Sequence, residues 1–287
     1  MPKNLNIYKN NRVVLGATEM NIHPRSRNFA WKDAPTTGTK RLTSQQIHDF
    51  NGLGFFVLPG VFSPEEIKAV TAAIDPLEKI FDDDLRAQGG QLRLSKTDAI
   101  TFTTHIVAKS PVLRAFADHP VYRDICHDLI GPASRLYWDQ SVYKKSGIAQ
   151  EFPWHQDNGY TFIEPEQYVT CWTPLVDVDE DNGCPWIAPG LHRQGTLEHW
   201  ETDIGLKCLE TIDGAVSAPA KAGDVIVFSS LAPHRTGPNL KSGTIRKAYI
   251  LQYAPDGALA YPRAGGVVEQ RDPDRQFLIS SPGASAQ

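Results

Sequence analysis

At 287 residues, with 41 % hydrophobic and 22 % charged side chains, the chain is long enough to bury a full core and has the composition of a globular domain. A formal net charge of -4 without a clustered basic stripe argues against a nucleic-acid partner, and no apolar run approaches the ~18 residues of a membrane span. Met1-Pro2-Lys3-Asn4-Leu5-Asn6 lacks the apolar core of a secretory signal, so a cytoplasmic protein is expected, and Cys126, Cys171, Cys184 and Cys208, with no zinc or CxxC spacing, read as reduced core residues.

Residues 1–41 are polar and irregular, an arm that is either disordered or wrapped around the body, and residues 42–287 are expected to form one domain. Thr43 or Ser44 caps a short helix through about Asn51, and Phe55-Phe56-Val57-Leu58 is a strand closed by Pro59-Gly60. Ser63-Pro64-Glu65-Glu66 joins a capping box to a proline at the first helical position, and Ile67, Val70, Ala73 and Ile74 supply the apolar stripe of that helix. Pro76 should end or kink it. Ser110-Pro111 starts another helix, and Pro120 a third that stops before Gly131-Pro132. From Arg135 onward the pattern changes to short strands between turns, at 135–144, 169–176, 183–187, 224–228 and 246–253. Residues 199–217 read as an insertion of the kind that becomes a lid or a substrate wall, and 261–266 and 282–287 as a cap or mobile tail. Helices first and antiparallel strands afterwards indicate an α+β fold with a mainly β core, about 135–255, whose helices cover one sheet of a sandwich or barrel.

The chemistry-bearing pattern is His155-Gln156-Asp157, answered downstream by His234. Two imidazoles and one carboxylate on one face are the donor set of mononuclear non-haem Fe(II), with the opposite positions open. In a strand, alternate residues point the same way, so His155 and Asp157 can reach one ion together. A lone His-X-Asp arises often by chance, but here Val225-Ile226-Val227-Phe228 reads as a buried strand and Ser229 to Pro233 as the connection that delivers His234 to a strand end. Arg246 opens the next strand, where its planar fork suits a carboxylate.

Taken in order, His155-Gln156-Asp157, Cys171-Trp172-Thr173, Asp181-Asn182-Gly183-Cys184 leading to Pro189-Gly190-Leu191-His192, and His234 to Arg246-Lys247-Ala248 resemble the phytanoyl-CoA dioxygenase family of Fe(II)/2-oxoglutarate-dependent oxygenases, over about Leu53 to Tyr253. The resemblance implies a double-stranded β-helix, or cupin-like jelly roll, flanked by helices. It implies that His155, Asp157 and His234 ligate Fe(II), that Arg246 pairs with the distal carboxylate of 2-oxoglutarate, and that Trp172 lines the cosubstrate. Gln140 and Thr103 fall near two further cosubstrate positions; the family often has Lys in place of Thr103 and Ser where this chain has Leu191. The activity implied is hydroxylation of an unactivated C–H bond of a small molecule, consuming O2 and converting 2-oxoglutarate to succinate and CO2. The carboxylate of Asp157 favours that outcome, since related halogenases carry a small residue there.

Tyr143, Asn158, Tyr160 and His192 are candidate substrate contacts, each with a competing reading: barrel packing for the residues around the metal strand, a solvated turn for His192 and Arg193. Trp172 has core filling as its alternative, His105 is read as structural with cavity lining as its alternative, and His23, His48, His119, His127 and His199 are assigned no chemistry. The same machinery used for desaturation, cyclisation or epimerisation, or a non-catalytic jelly-roll binding module, remain the competing functions. The sequence leaves monomer and homodimer open.

Overall fold

Two capping boxes begin the helical side of the molecule, whose computed structural model describes residues 20–280. In α1 (Ser44–Leu53) the Thr43 hydroxyl accepts from the Gln46 amide while the Gln46 side chain returns to the Thr43 amide, and Gly54 closes the helix in the left-handed region at φ 87°. β1 (Phe55–Leu58) follows, and Ser63 and Glu66 then box the start of α2 (Pro64–Ala87). A small hairpin of β2 (Gln91–Leu92) and β3 (Ser95–Lys96) leads to β4 (Ile100–Thr104), and α3 (Pro111–Ala117) and α4 (Pro120–Ile130) complete this side.

Pro76 does not end α2, which runs 24 residues through it. A proline there removes one backbone hydrogen bond, and the buried Ile67, Val70, Ile74 and Leu85 on both sides of it outweigh that loss. Glu78 and Asp82, also buried on this helix, accept from the Thr101 hydroxyl (2.7 Å) and the Lys145 ammonium (2.8 Å), which docks α2 on the sheet.

The β half comprises β5 (Ser134–Lys145), β6 (Phe152–His155), a single turn α5 (Asp157–Tyr160), β7 (Phe162–Glu164), β8 (Val169–Pro174), β9 (Pro185–Ile187), the hairpin β10 (Trp200–Thr202) and β11 (Gly205–Lys207), β12 (Val216–Ser217), β13 (Val225–Ser229), β14 (His234–Thr236), β15 (Ile245–Pro255), β16 (Leu259–Tyr261), β17 (Val268–Glu269) and β18 (Leu278–Ser280). The insertion at 199–217 therefore contains strands that its polar, non-alternating sequence did not announce. A large antiparallel sheet has the order β1-β13-β8-β15-β5-β4-β3-β2, with β18 added to β5, and a smaller sheet has the order β12-β9-β14-β6. Phe152 and Ile187 of the small sheet pack with Val142, Trp172, Ile226, Phe228, Ala248 and Ile250 on one face of the large one. The other face packs on the helices through Cys171, Val225, Val227, Tyr249 and Leu251. This is a jelly roll flanked by helices, as expected.

The N-terminal arm wraps the body from Met20 onward. The His23 amide donates to the Thr196 carbonyl (2.9 Å), the Ser26 hydroxyl to Glu166 (2.7 Å), and the amides of Lys40, Arg41 and Leu42 converge on the Asp128 carboxylate. Residues 1–19 and the tail at 282–287 lie outside the described residues.

Candidate metal centre

β6 ends at His155, and Asp157 opens the turn α5, so the two are not alternate residues of one strand. Their side chains converge because the chain turns at Gln156. That residue is wholly buried and fully used: its amide nitrogen donates to the carbonyls of Gly195 (2.9 Å) and Leu231 (2.7 Å), its amide oxygen accepts from Leu197 N (2.6 Å), and its backbone N–H donates to His199 Nε2 (2.9 Å). The third member arrives from the neighbouring strand, where His234 pairs directly with His155 in the β14–β6 register.

The three side chains bring one donor atom each within 4.8 Å of one another. His155 Nε2 and His234 Nε2 lie 3.9 and 3.8 Å from Asp157 Oδ1. Each imidazole donates its Nδ1–H to a backbone carbonyl, His155 to Pro153 (2.8 Å) and His234 to Ala232 (3.0 Å), which fixes the tautomer and leaves Nε2 free with its lone pair. Burial, with His234 adjacent, holds His155 well below the ordinary histidine pKa, so it is neutral as a metal ligand must be. The Thr170 hydroxyl donates to Asp157 Oδ2 at 2.5 Å, leaving Oδ1 to face the imidazoles.

The cavity running from this cluster ends at Arg246. The guanidinium is 1 % exposed; Nη1 donates weakly to the Val142 carbonyl (3.3 Å), and Nε and Nη2 have no hydrogen-bond partner. Its guanidinium carbon sits 5.4 Å from the Trp172 ring centroid, and burial pushes its pKa down to about 9. An unpaired cation in a largely apolar cavity is costly unless a ligand carboxylate completes it. The donor set at one end and the orphaned fork at the other fit Fe(II) and the two carboxylates of 2-oxoglutarate.

Trp172 and Gln140 both line this cavity, and the register sets Gln140, Ile250 and Trp172 side by side across β5, β15 and β8. Thr103 does not reach it. Ile100 and Phe102 hold the cavity face of β4, so Thr103 points with Thr101 toward α2, its buried hydroxyl without a partner. Tyr143 is likewise on the helix side, donating to Asp75 of α2 (2.7 Å). His192 is neither solvated nor near the metal: it is fully buried, edge-on to Trp31, with Nε2 on the Asn51 carbonyl (3.2 Å). Asn158 spends its amide on Thr196 Oγ1 (2.7 Å) and Ile163 N (2.8 Å) and holds the turn. Tyr160 alone of the four candidate substrate contacts touches the cluster, its ring 5.5 Å from that of His155. His105, as read, is structural, accepting from Arg275 (2.8 Å).

Three contributors escaped the sequence reading. Thr170 precedes Trp172 by one strand period, and Lys144 follows Gln140 by two, so alternation carried outward from those residues would have found both. Lys144 is the cross-strand partner of Arg246 and ties the end of β14 in place through the Thr236 carbonyl (2.9 Å), the Thr236 hydroxyl (2.8 Å) and the Gly237 carbonyl (2.6 Å). His199, by contrast, carries no local signal; only the fold brings it under Gln156.

The profile of the phytanoyl-CoA dioxygenase (PhyH) family matches residues 50–248. The phytanoyl-CoA dioxygenase domain-containing protein 1 of Danio rerio is 24 % identical over 250 residues, covering 69 % of this chain and 85 % of that protein. Among solved structures, the non-haem alpha-ketoglutarate-dependent carbocyclase SnoK from nogalamycin biosynthesis superposes with a TM-score of 0.68 at 21 % identity, covering 84 % of this chain and 98 % of that one. The epimerase SnoN, in complex with Fe3+, alpha ketoglutarate and nogalamycin RO, gives 0.64 at 20 % identity, covering 82 % and 97 %.

Proposed function

Since the chain belongs to the phytanoyl-CoA dioxygenase family and is an iron- and 2-oxoglutarate-dependent oxidoreductase, we propose that His155, Asp157 and His234 are its iron ligands and that Arg246 receives the distal carboxylate of 2-oxoglutarate. When bound, iron with 2-oxoglutarate and O2 supplies the oxidation of an unactivated C–H bond, coupled to decarboxylation of the cosubstrate. The chain's own residues orient and shield. Pro153 and Ala232 carbonyls aim the two Nε2 atoms, Thr170 aims the carboxylate, Trp172 and Gln140 wall the cosubstrate, and Phe152, Phe228 and Ile250 keep water from the cavity. The observation that carries this assignment is the pairing, in one cavity, of a His/Asp/His cluster with a buried guanidinium two of whose nitrogens lack partners.

The substrate we assign is a small organic molecule and the outcome hydroxylation. Cyclisation or epimerisation is the second reading, supported by the shared fold of a carbocyclase and an epimerase, and product analysis separates them. Four buried, free cysteines support a reducing, cytoplasmic setting, and among the described residues no helix is long and apolar enough to cross a membrane.

Anaerobic titration of the Fe(II) protein with 2-oxoglutarate tests the site. The visible charge-transfer absorption of a chelated 2-oxo acid should appear, and weaken in Arg246→Ala. A flat spectrum with iron demonstrably bound overturns the assignment.

A further inference from the structure

Two large clefts flank the β10–β11 hairpin, and one of them is walled by a ring that stands against His155. The first, about 750 Å3, is lined by the polar Gln91, Lys96, Gln150 and Asp203 and by the buried Trp154, and of its two lysines Lys207 is already paired with Glu210. The second, about 710 Å3, lies within the usual size of a small-molecule site. Its inner wall is Tyr160, whose ring stands against His155, and His199, which holds the backbone N–H between the two ligands of α5 and β6. His199 lies so close on Gly159 that a Cβ there would come within 2.1 Å of the imidazole. One side chain separates this cleft from the metal donors.

Its chemistry is specific. Phe162, Trp200 and Tyr261 give it aromatic walls, and two arginines reach into it against a single carboxylate, Glu198. The Arg25 guanidinium carbon lies over the Tyr261 ring, 4.1 Å from its centroid, and among the described residues Arg25 makes no ion pair. Arg263 donates to the His199 carbonyl (3.2 Å) and meets only the exposed Glu201, at 3.6 Å. Tyr261 itself donates to Glu164 (3.0 Å), which accounts for the other nearby acid. Incompletely paired guanidinium groups, one of them over an aromatic ring, recognise anions such as carboxylate, sulfonate or phosphate, with an apolar body lying on the aromatic walls.

We propose that this cleft is the substrate chamber, that its substrate is an amphipathic organic anion held by Arg25 and Arg263, and that Tyr160 is the partition the substrate displaces to reach the metal. The assignment rests on the iron and 2-oxoglutarate reading above. The test uses the anaerobic Fe(II)/2-oxoglutarate protein and two fluorescent probes: 8-anilinonaphthalene-1-sulfonate and its uncharged relative N-phenyl-1-naphthylamine. The sulfonate should bind, weaken about tenfold or more in Arg25→Gln/Arg263→Gln, recover in Arg25→Lys/Arg263→Lys, and tighten about threefold in Glu198→Gln, while the uncharged probe is indifferent to all three. These residues lie at the cleft's rim, so the variants should keep the wild-type circular dichroism and the charge-transfer band. Absence of the band in the wild type overturns the iron reading; an intact band with sulfonate affinity unchanged in Arg25→Gln/Arg263→Gln, or with no sulfonate binding at all, overturns the chamber.

Discussion

The two faces of the large sheet are made from the same strands and obey different rules. On the helix face the long side chains are matched inside the protein, Tyr143 to Asp75, Tyr249 to Asp139, Tyr122 to Thr173 and Tyr253 to the Ala117 carbonyl, and the groups left over, such as the Thr103 hydroxyl, belong to short, uncharged or singly bonded side chains. On the cavity face, Arg246 is buried beside Lys144 with two of its nitrogens unmatched. Like charges set directly opposite across two strands oppose folding. A face that carries such a cost without an internal remedy is built around something that arrives later, and the contrast marks the cavity face as functional without reference to any motif.

Four substitutions test the contrast, beginning with the largest effect. Asp157→Ala removes the only carboxylate of the cluster and should abolish turnover and lower Fe(II) affinity by more than the ~100-fold typical of losing a group that merely supports a ligand, measured by metal titration. Arg246→Met should cost about 2–5 kcal/mol of 2-oxoglutarate affinity, yet raise the stability of the ligand-free protein by about 1–4 kcal/mol, because an unpaired buried charge is replaced by an apolar chain of similar length. Urea unfolding with and without 2-oxoglutarate reads both signs, and a destabilised ligand-free variant would show that the guanidinium is satisfied in some other way. Tyr143→Phe, on the opposite face, should cost about 1 kcal/mol of stability and leave 2-oxoglutarate affinity unchanged. Thr170→Val, back on the cavity face, should weaken metal binding about 10-fold with little change in stability, since it frees Asp157 Oδ2 without opening the core.

The same contrast explains what the sequence disclosed. Helix starts were legible because Thr43, Ser63 and Ser110 cap locally, and the jelly-roll strands because Val225 to Phe228 and Lys247 to Tyr253 are rich in β-formers. The His155/Asp157/His234 cluster was legible as residue types in order, although its geometry comes from a turn at Gln156 rather than from strand alternation. Thr103 and Tyr143 failed for one reason: which face of β4 or β5 a residue takes depends on register, and a shift of one position exchanges the cavity for the helix side. His199 and the two arginines of the outer cleft failed for another. They come from segments distant in sequence, so no local period links them.

The smallest effect concerns histidines that serve the fold, away from the His155/Asp157/His234 cluster. Burial pushes both His105 and His192 down to about 4, and neither lies near the cluster. In the unfolded chain each takes up a proton near the ordinary value of about 6.5, so below that pH the unfolded state binds more protons than the folded one. Stability contributed by the neutral rings is therefore complete above about 6.5 and is lost as pH falls toward 4. The urea midpoint should drop between pH 7 and pH 5 in protein without metal, and His192→Gln should flatten that slope, because the substituted amide does not titrate and can still donate to the Asn51 carbonyl that the imidazole engages. A slope unchanged in His192→Gln would assign the acid lability to other groups and leave His192 a packing residue without electrostatic consequence.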